Sequence, residues 1–532
     1  MSIRLDENFD KERIISYLKS LNNDVAYWFI PFVEFVFTDY GNDLFNEINS
    51  KFRSVRGSPA IDRRKLFLGL IYAIKFEIDY DLAKVALLGH TDKILSFIMG
   101  DDRPCSVTYN NFLTQTDSHI LKKLSVCTLM ELNDLEFIDF RRMYTDSTDA
   151  KINGSVHYKV NKDDVEGLKL MNKLGLLHNR SIKKMKKNKR KLLEIKDALN
   201  DSEEMVEIID HVLKNFKLYD RRVYDKLNKI EQYLVDDPES EICIMFPESK
   251  LMKSKRGKFD FALLVQSTMF ENGILMNSLV QSEPNDSKAL EEIITDIEDT
   301  FKILLDLQIM YGERSNYKEI YDALKFAIHI LDSGYFTDVN LESAHFHNMN
   351  VLIMPRNIAR YNNDKLRGEI PETVNEFKQN NKKITMRQMK RTYDGYVCLN
   401  NIQSNLIDCI EPNSKFNRER QDLDDVCKEK IFIFHTDCPC DCPFKDFCNK
   451  QDFKVKVSLL KHRMFNKFTL PKFLEIYSKR FGANEQINGY FKKDKGMLKL
   501  AGSNKQATQN HLYIKMITYN VRRKVKLKST VY

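Results

Sequence analysis

The chain has 532 residues, 42% of them hydrophobic and 11% aromatic, which is ample for a large core and excludes wholesale disorder. Its 18 glycines and 12 prolines are too few for a collagen-like or proline-rich polymer, and no apolar run reaches the roughly eighteen residues of a membrane span. The net charge of +8 is a mild basic excess whose distribution matters more than its sum.

The opening MSIRLDENFDKERI carries acids where a signal peptide would carry a basic end and an apolar stretch, which predicts a cytoplasmic protein. Leu66, Leu70, Ile74 and Ile78 recur every four residues and predict a helix beginning near Pro59 and Asp62. Gly89 and Gly100 punctuate the next stretch, giving short helices over 79–88, 91–99 and 107–117. Residues 1–130 are therefore expected to form an N-terminal all-α domain.

From Phe137 the texture changes. Residues 131–177 open a mixed α/β core with a predicted strand, Phe137–Asp146, ending in a carboxylate. An insertion over 178–236 comes after it, read as a helical hairpin turning at Asn200-Asp201-Ser202. Seven of the nine residues 183–191 are Lys or Arg, and Met205, Ile209, Val212, Phe216, Tyr219, Val223, Leu227, Ile230 and Leu234 step by three or four as a coiled-coil seam does. Over 237–355 the core resumes with strands Phe259–Ser267 and Ile274–Ser282, joined by Glu271-Asn272-Gly273, a hairpin signal. A helix over 288–308 comes next, then apolar runs Phe326–Leu331, ending at Asp332, and Val351–Met354. Residues 356–460, rich in Asn, Asp, Lys and Cys, read as a loop-rich insertion. The last stretch, 461–532, is expected to hold one core helix and a basic tail of Arg522, Arg523, Lys524, Lys526 and Lys528.

Three acids stand out by context: Asp146 and Asp332 at strand ends, and Glu485 on a late helix. Carboxylates so placed suit Mg²⁺, a hard cation that takes oxygen ligands. Two such ions about 4 Å apart stabilise both the attacking and leaving oxygens of a phosphoryl displacement. With Ile476, Ala483, Ile487 and Tyr490 as its apolar side, the helix turns Glu485 about 200° away from Ala483 and brings Lys492 back to nearly the same face. Asp139 and Asp149 read as surface acids, His329 as a hydrogen-bonded core histidine, and Asp338 and Glu342 as acids of a helix's first turns.

These segments resemble bacterial insertion-sequence transposases of the DDE class, whose catalytic domain is ribonuclease-H-like. Asp146-Ser147-Thr148, Asp332-Ser333-Gly334-Tyr335-Phe336, and Tyr477, Glu485 and Lys492 stand at the matching places, with four residues between Arg480 and Glu485 where three are common, and the likeness covers about residue 55 to the end. It implies a mixed-sheet catalytic core, with Asp146, Asp332 and Glu485 holding two Mg²⁺ (or Mn²⁺) ions. Lys492, Arg480 and Tyr477 would hold DNA phosphates. The partners implied are terminal inverted repeats, target DNA and a second copy of the chain. The helical domain of 55–130, helped by the run 183–191, is expected to recognise the ends. A rival reading is a domesticated, catalytically inactive DNA-binding protein of the same fold; another is a nuclease that cuts without strand transfer. Finally, Cys438, Cys440, Cys442 and Cys448 fall within eleven residues, as in the family branch with an insertion before its catalytic Glu. They read as ligands of one structural Zn²⁺. The tight Cys-x-Cys spacing leaves Cys398, Cys427 and His435 as alternatives for the fourth ligand.

Overall fold

The computed structural model describes residues 9–52, 61–151, 159–173, 221–235, 242–243, 246–253, 259–281, 286–367, 373, 375–376, 389–392, 395–448, 452–480, 482, 500–501 and 504–531. Eight helices come first: α1 (Lys11–Leu21), α2 (Asp24–Val36), α3 (Asp39–Lys51), α4 (Arg63–Lys75), α5 (Leu82–Thr91), α6 (Lys93–Met99), α7 (Ser106–Gln115) and α8 (Ser118–Asp134). The four-residue repeat is α4, capped by Asp62, whose carboxylate accepts from the Arg64 N–H; Pro59 lies outside the described residues. The next helices start a little later than the glycine spacing predicts. Asp81 and Asp92 cap α5 and α6 through their side chains, and an N-cap decides where a helix begins.

A central sheet comes next. Its strands are β1 (Arg142–Lys151), β4 (Lys250–Lys253), β5 (Phe259–Phe270), β6 (Leu275–Gln281), β7 (Ile328–Leu331) and β8 (Val351–Ile353). A separate pair, β2 (Lys159–Val160) and β3 (Ile242–Cys243), is antiparallel. The central order is β4-β5-β1-β7-β8. Ala262 of β5 pairs with both Lys151 and Lys250, so β4 and β6 share the edge of β5 opposite β1. β1 runs antiparallel to β5 and parallel to β7, which is parallel to β8. The predicted hairpin is present, with Gly273 at φ 77°, a conformation glycine adopts without penalty.

Two predicted strands move. The one placed at Phe137–Asp146 begins at Arg142 and continues past Asp146, because Glu136 turns left-handed (φ 58°) and the Phe137 N–H closes onto the Leu132 carbonyl. Ile138 and Phe140 are thereby buried in the core from a loop instead of pairing. Phe326 likewise closes a helix (Tyr317–Phe326) ahead of β7.

Of the helical hairpin expected over 178–236, only Arg221–Val235 lies among the described residues; the basic run 183–191 and the turn at 200–202 do not. That helix buries Val223, Leu227, Ile230 and Leu234, four positions of the expected seam. Their partners are Val165, Leu168 and Met171 of the preceding helix Lys162–Lys173.

The loop-rich reading of 356–460 is corrected. β9 (Lys390–Arg391), β10 (Gly395–Val397), β11 (Gln403–Ile410), β12 (Glu429–Thr436) and β13 (Asp452–Ser458) form an antiparallel sheet in the order β13-β12-β11-β10-β9. Only one face is well covered, by Tyr396, Phe432, Phe434 and Phe453, so polar residues dominate the composition and mask the strands.

The chain closes with helices Leu459–Lys467, Pro471–Ser478 and Lys505–Val531. The expected basic tail is instead the end of the last helix. Val521 is buried in the main core, Lys524 pairs with Glu131 at 2.8 Å, and the Arg523 guanidinium donates to the Asn272 carbonyl. This helix also covers the open edge of β6. Asn520 pairs with the backbone N–H and C=O of Leu275, and Gln509 with the Val280 N–H and the Ser278 C=O. Eleven helical residues rise about 16.5 Å and five strand residues about 17 Å, so two amides on one helix face act as a neighbouring strand would. One continuous core joins the N-terminal helices, the sheet and this helix. No helix among the described residues is long and apolar enough to cross a membrane.

Candidate functional site

β1 pairs with β5 from Met143 to Lys151, but its parallel ladder with β7 stops at Thr145↔Leu331. Asp146 and Asp332 are thus each the first residue beyond that ladder, side by side at the carboxyl ends of neighbouring parallel strands. Asp332 turns the chain as expected: its carboxylate accepts from the Ser333 N–H at 2.6 Å, a short 3₁₀ turn spans Ser333–Tyr335, and the helix Asp338–Phe346 comes after it. In that helix Asp338 accepts from Lys461 and Ser458, while Glu342 pairs with Arg420 at 2.7 Å. These two acids tie the helix to the second sheet.

Arg480 bridges the acid pair. Its Nη2 lies 3.2 Å from Asp332 Oδ1 and its Nη1 3.9 Å from Asp146 Oδ1, with the Arg480 side chain only 9% exposed. Its guanidinium sits 5.5 Å from the centre of the Tyr477 ring, which packs edge-on against Phe468. Burial pushes the Tyr477 phenol up to about 12, with Arg480 opposing and Asp332 and Asp146 adding to the shift. Tyr477 is therefore a neutral platform at physiological pH. The residue expected to grip DNA, Arg480, here offsets the repulsion between two carboxylates. Glu485 and Lys492 lie outside the described residues.

Behind the acids the sheet is polar yet buried. Thr145 Oγ1 lies 2.7 Å from Thr268 Oγ1 and 2.6 Å from His329 Nε2. Burial lowers the pKa of His329 to about 3, so this imidazole is a neutral core group. Asp139 pairs with the exposed Arg141 at 2.7 Å, away from the acid pair. Two residues the sequence reasoning missed complete the surroundings. Arg356 donates to the carbonyls of Ser333 and Gly334. Asp286 accepts from Ser147 and Gln266; no local motif or spacing singles it out in the sequence.

Two partly exposed carboxylates on rigid strand ends are hard oxygen donors and fit a Mg²⁺ or Mn²⁺ ion. Among the described residues, no three His, Cys, Asp or Glu side chains are grouped so as to hold a metal ion.

The cysteines of the second sheet are free thiols. Cys438, Cys442 and Cys448 lie in the loop after β12, and Cys398 stands just after β10. Burial and the nearby thiols of Cys398, Cys448 and Cys442 push the Cys438 thiol up. Asn400 donates to Cys442 Sγ at 3.7 Å, and Leu399, Cys442 and Cys448 pack on Phe444. Cys440 is exposed. His435 is held by Asp452 and Asp437, and Cys427 is buried with Glu342, Asp424 and Arg420 as its charged neighbours. Of the alternatives for a fourth ligand, Cys398 is the one at this loop. No family model matches the chain, and neither a curated protein nor a solved structure is detectably similar to it.

Proposed function

We propose that the chain is a DNA transposase of the DDE class, with a ribonuclease-H-like catalytic sheet. The observation that carries this reading is the meeting of Asp146 and Asp332, distant in sequence, at adjacent parallel strand ends under one arginine. The strand order and senses support it: an antiparallel pair, β6 and β5, on one side of β1 and two parallel strands, β7 and β8, on the other.

In this reading Asp146, Asp332 and Glu485 hold Mg²⁺ or Mn²⁺, which when bound supplies Lewis acidity for attack of water, then of a DNA 3′-hydroxyl, on a phosphodiester. The chain's own part is positional. Adjacent strands fix the two carboxylates, Arg480 balances their charge, and Tyr477 carries the guanidinium where a DNA phosphate can share it. The basic run 183–191 and Lys492 would add phosphate contacts that position DNA without reading sequence. End pairing requires at least two copies. In the second sheet, Cys438, Cys442 and Cys448 with Cys398 or Cys440 would have to close up to hold one structural Zn²⁺ as thiolates, since no three of them are grouped for a metal ion as they stand.

The test is cleavage of DNA carrying the element's inverted ends by purified protein, with and without Mg²⁺, then a strand-transfer assay. Metal-dependent nicking with transfer supports a transposase. Nicking without transfer makes it a nuclease, and end binding without nicking makes it a domesticated DNA-binding protein.

A further inference from the structure

The acid pair is stitched together from behind by a single carboxylate. Asp286 opens the 3₁₀ turn Asp286–Lys288, and both its oxygens are used. Oδ2 accepts from the hydroxyl of Ser147, the residue after Asp146, at 3.1 Å. Oδ1 accepts from Gln266 Nε2 at 3.0 Å, and Gln266 is the cross-strand partner of Ser147. The carbonyl oxygen of the Gln266 amide accepts in turn from the Tyr335 hydroxyl, three residues past Asp332. Gln266 and Tyr335 are fully buried, and the Tyr335 phenol also faces Asp286 and Ser147.

The backbone repeats the connection. Asn340 Nδ2 donates to the Asp286 carbonyl at 2.8 Å and to the Tyr335 carbonyl at 3.0 Å, and Thr337 Oγ1 donates to the Ser287 carbonyl at 2.7 Å. Gly334 packs so closely that a Cβ there would stand 3.0 Å from Asp286 Oδ2. Alternation along β1 sends Asp146 to one face of the sheet and Ser147 to the other. Asp286 therefore works behind the acids, through their neighbours. Among the described residues it forms no ion pair and is held by hydrogen bonds.

We infer that Asp286 is a positioning residue that couples the β1 end to the turn after β7 and so sets the spacing of Asp146 and Asp332 for a divalent cation. This rests on the metal-dependent reading above. Groups that orient metal ligands without touching the metal typically govern affinity by about 10- to 100-fold when removed. An amide preserves the tether, because Asn Oδ1 still accepts from Gln266 and Asn Nδ2 donates to a reoriented Ser147 hydroxyl.

The test is Mn²⁺ binding to the full chain by calorimetry, together with the Mg²⁺ dependence of cleavage, for wild type, Asp286→Asn, Asp286→Ala and Ser147→Ala. We expect Asp286→Ala to weaken Mn²⁺ binding and raise the Mg²⁺ needed for half-maximal cleavage about tenfold, with Asp286→Asn within about threefold of wild type. Ser147→Ala, which removes one arm only, should shift in the same direction by less, and it serves if Asp286→Ala does not fold. A merely structural role would lower the melting temperature and leave the metal dependence unchanged. Wild-type affinity in a folded Asp286→Ala protein, or in Ser147→Ala if that alone folds, overturns the inference. An Asp286→Asn protein as weak as Asp286→Ala also overturns it, since charge and not the tether would then matter. A wild type that neither binds Mn²⁺ nor nicks DNA instead fails the proposed function itself.

Discussion

In the central sheet, residues 261–270 of β5 are buried, while β1 reaches solvent beyond Thr145, at Asp146–Asp149. Thr145, Gln266, Ser267 and Thr268 are at most 3% exposed, and each is hydrogen-bonded to another side chain. In the second sheet, β11 leaves Leu406, Ile407 and Ile410 exposed, and the apolar cluster is Met389, Tyr396, Phe432, Phe434 and Phe453. A sheet so buried can hold two like charges at a fixed place, because displacing either would disturb close-packed neighbours. A thinly covered sheet lacks that reserve and needs a cross-link at its loops.

The largest expected effect lies at the first sheet's acids. Asp146→Asn and Asp332→Asn should abolish strand cleavage while leaving end binding in a gel shift nearly unchanged, since an amide keeps the shape but loses the anionic oxygen a hard cation needs. Wild-type cleavage by either variant would remove that residue from the metal site, and with it the contrast between a chemical sheet and a supporting one.

Next comes the cross-link. Elemental analysis of protein purified without chelator should find zinc near one atom per chain, and Cys442→Ser with Cys448→Ser should lose it. Structural zinc contributes folding free energy outright, on the order of 10 kcal/mol in small zinc domains. Its removal should therefore unprotect the amides of β11–β13 in hydrogen exchange while those of β1 and β5 stay protected. Metal-free native protein with unchanged protection of β11–β13 would show that the thin sheet stands unaided.

A smaller effect is expected at the β6 edge. Asn520→Ala leaves a buried N–H and C=O of Leu275 without partners, a cost of about 1–3 kcal/mol per group, so urea unfolding should show a loss of roughly 2–6 kcal/mol. A loss below about 0.5 kcal/mol, the scale of an ordinary surface change, would mean that the helix covers the edge without supporting it.

These edges mark what the sequence could and could not convey. The two aspartates were legible because each sits in a short local motif, and the hairpin because Asn-Gly demands a particular turn. Pairing of Gln509 and Asn520 with strand backbone has no local signature, since any polar helix face looks alike until its neighbour is known. Asp286 was illegible for the same reason: its partners, Ser147 and Gln266, are brought to it by strand register. Cys398 was one of three alternatives the spacing left open, and only the β10–β11–β12 meander brings it near Cys438. The second sheet itself was hidden by its exposed face, where strand residues resemble those of loops.

The smallest expected effect concerns pH and the buried face behind the acids. His329 is fully buried beside Thr145 and Met349, and burial lowers its pKa to about 3, against about 6.5 in an unfolded chain. Between these values the unfolded state takes up a proton that the folded state refuses. The stabilisation is therefore complete above about pH 6.5 and is lost progressively as the pH falls toward 3. The slope is about 1.4 kcal/mol per pH unit, or about 2 kcal/mol between pH 6.5 and 5. Burial lowers the pKa of His511 as well, so wild type alone does not isolate the effect; the difference from His329→Gln does. Gln keeps a hydrogen-bonding group toward Thr145 and cannot titrate, so its deficit relative to wild type at pH 7 should shrink by about 2 kcal/mol at pH 5 in urea unfolding. Parallel stability profiles for the two proteins would show that His329 is protonated in place, and that the sheet behind the acid pair is as thinly shielded as the second sheet.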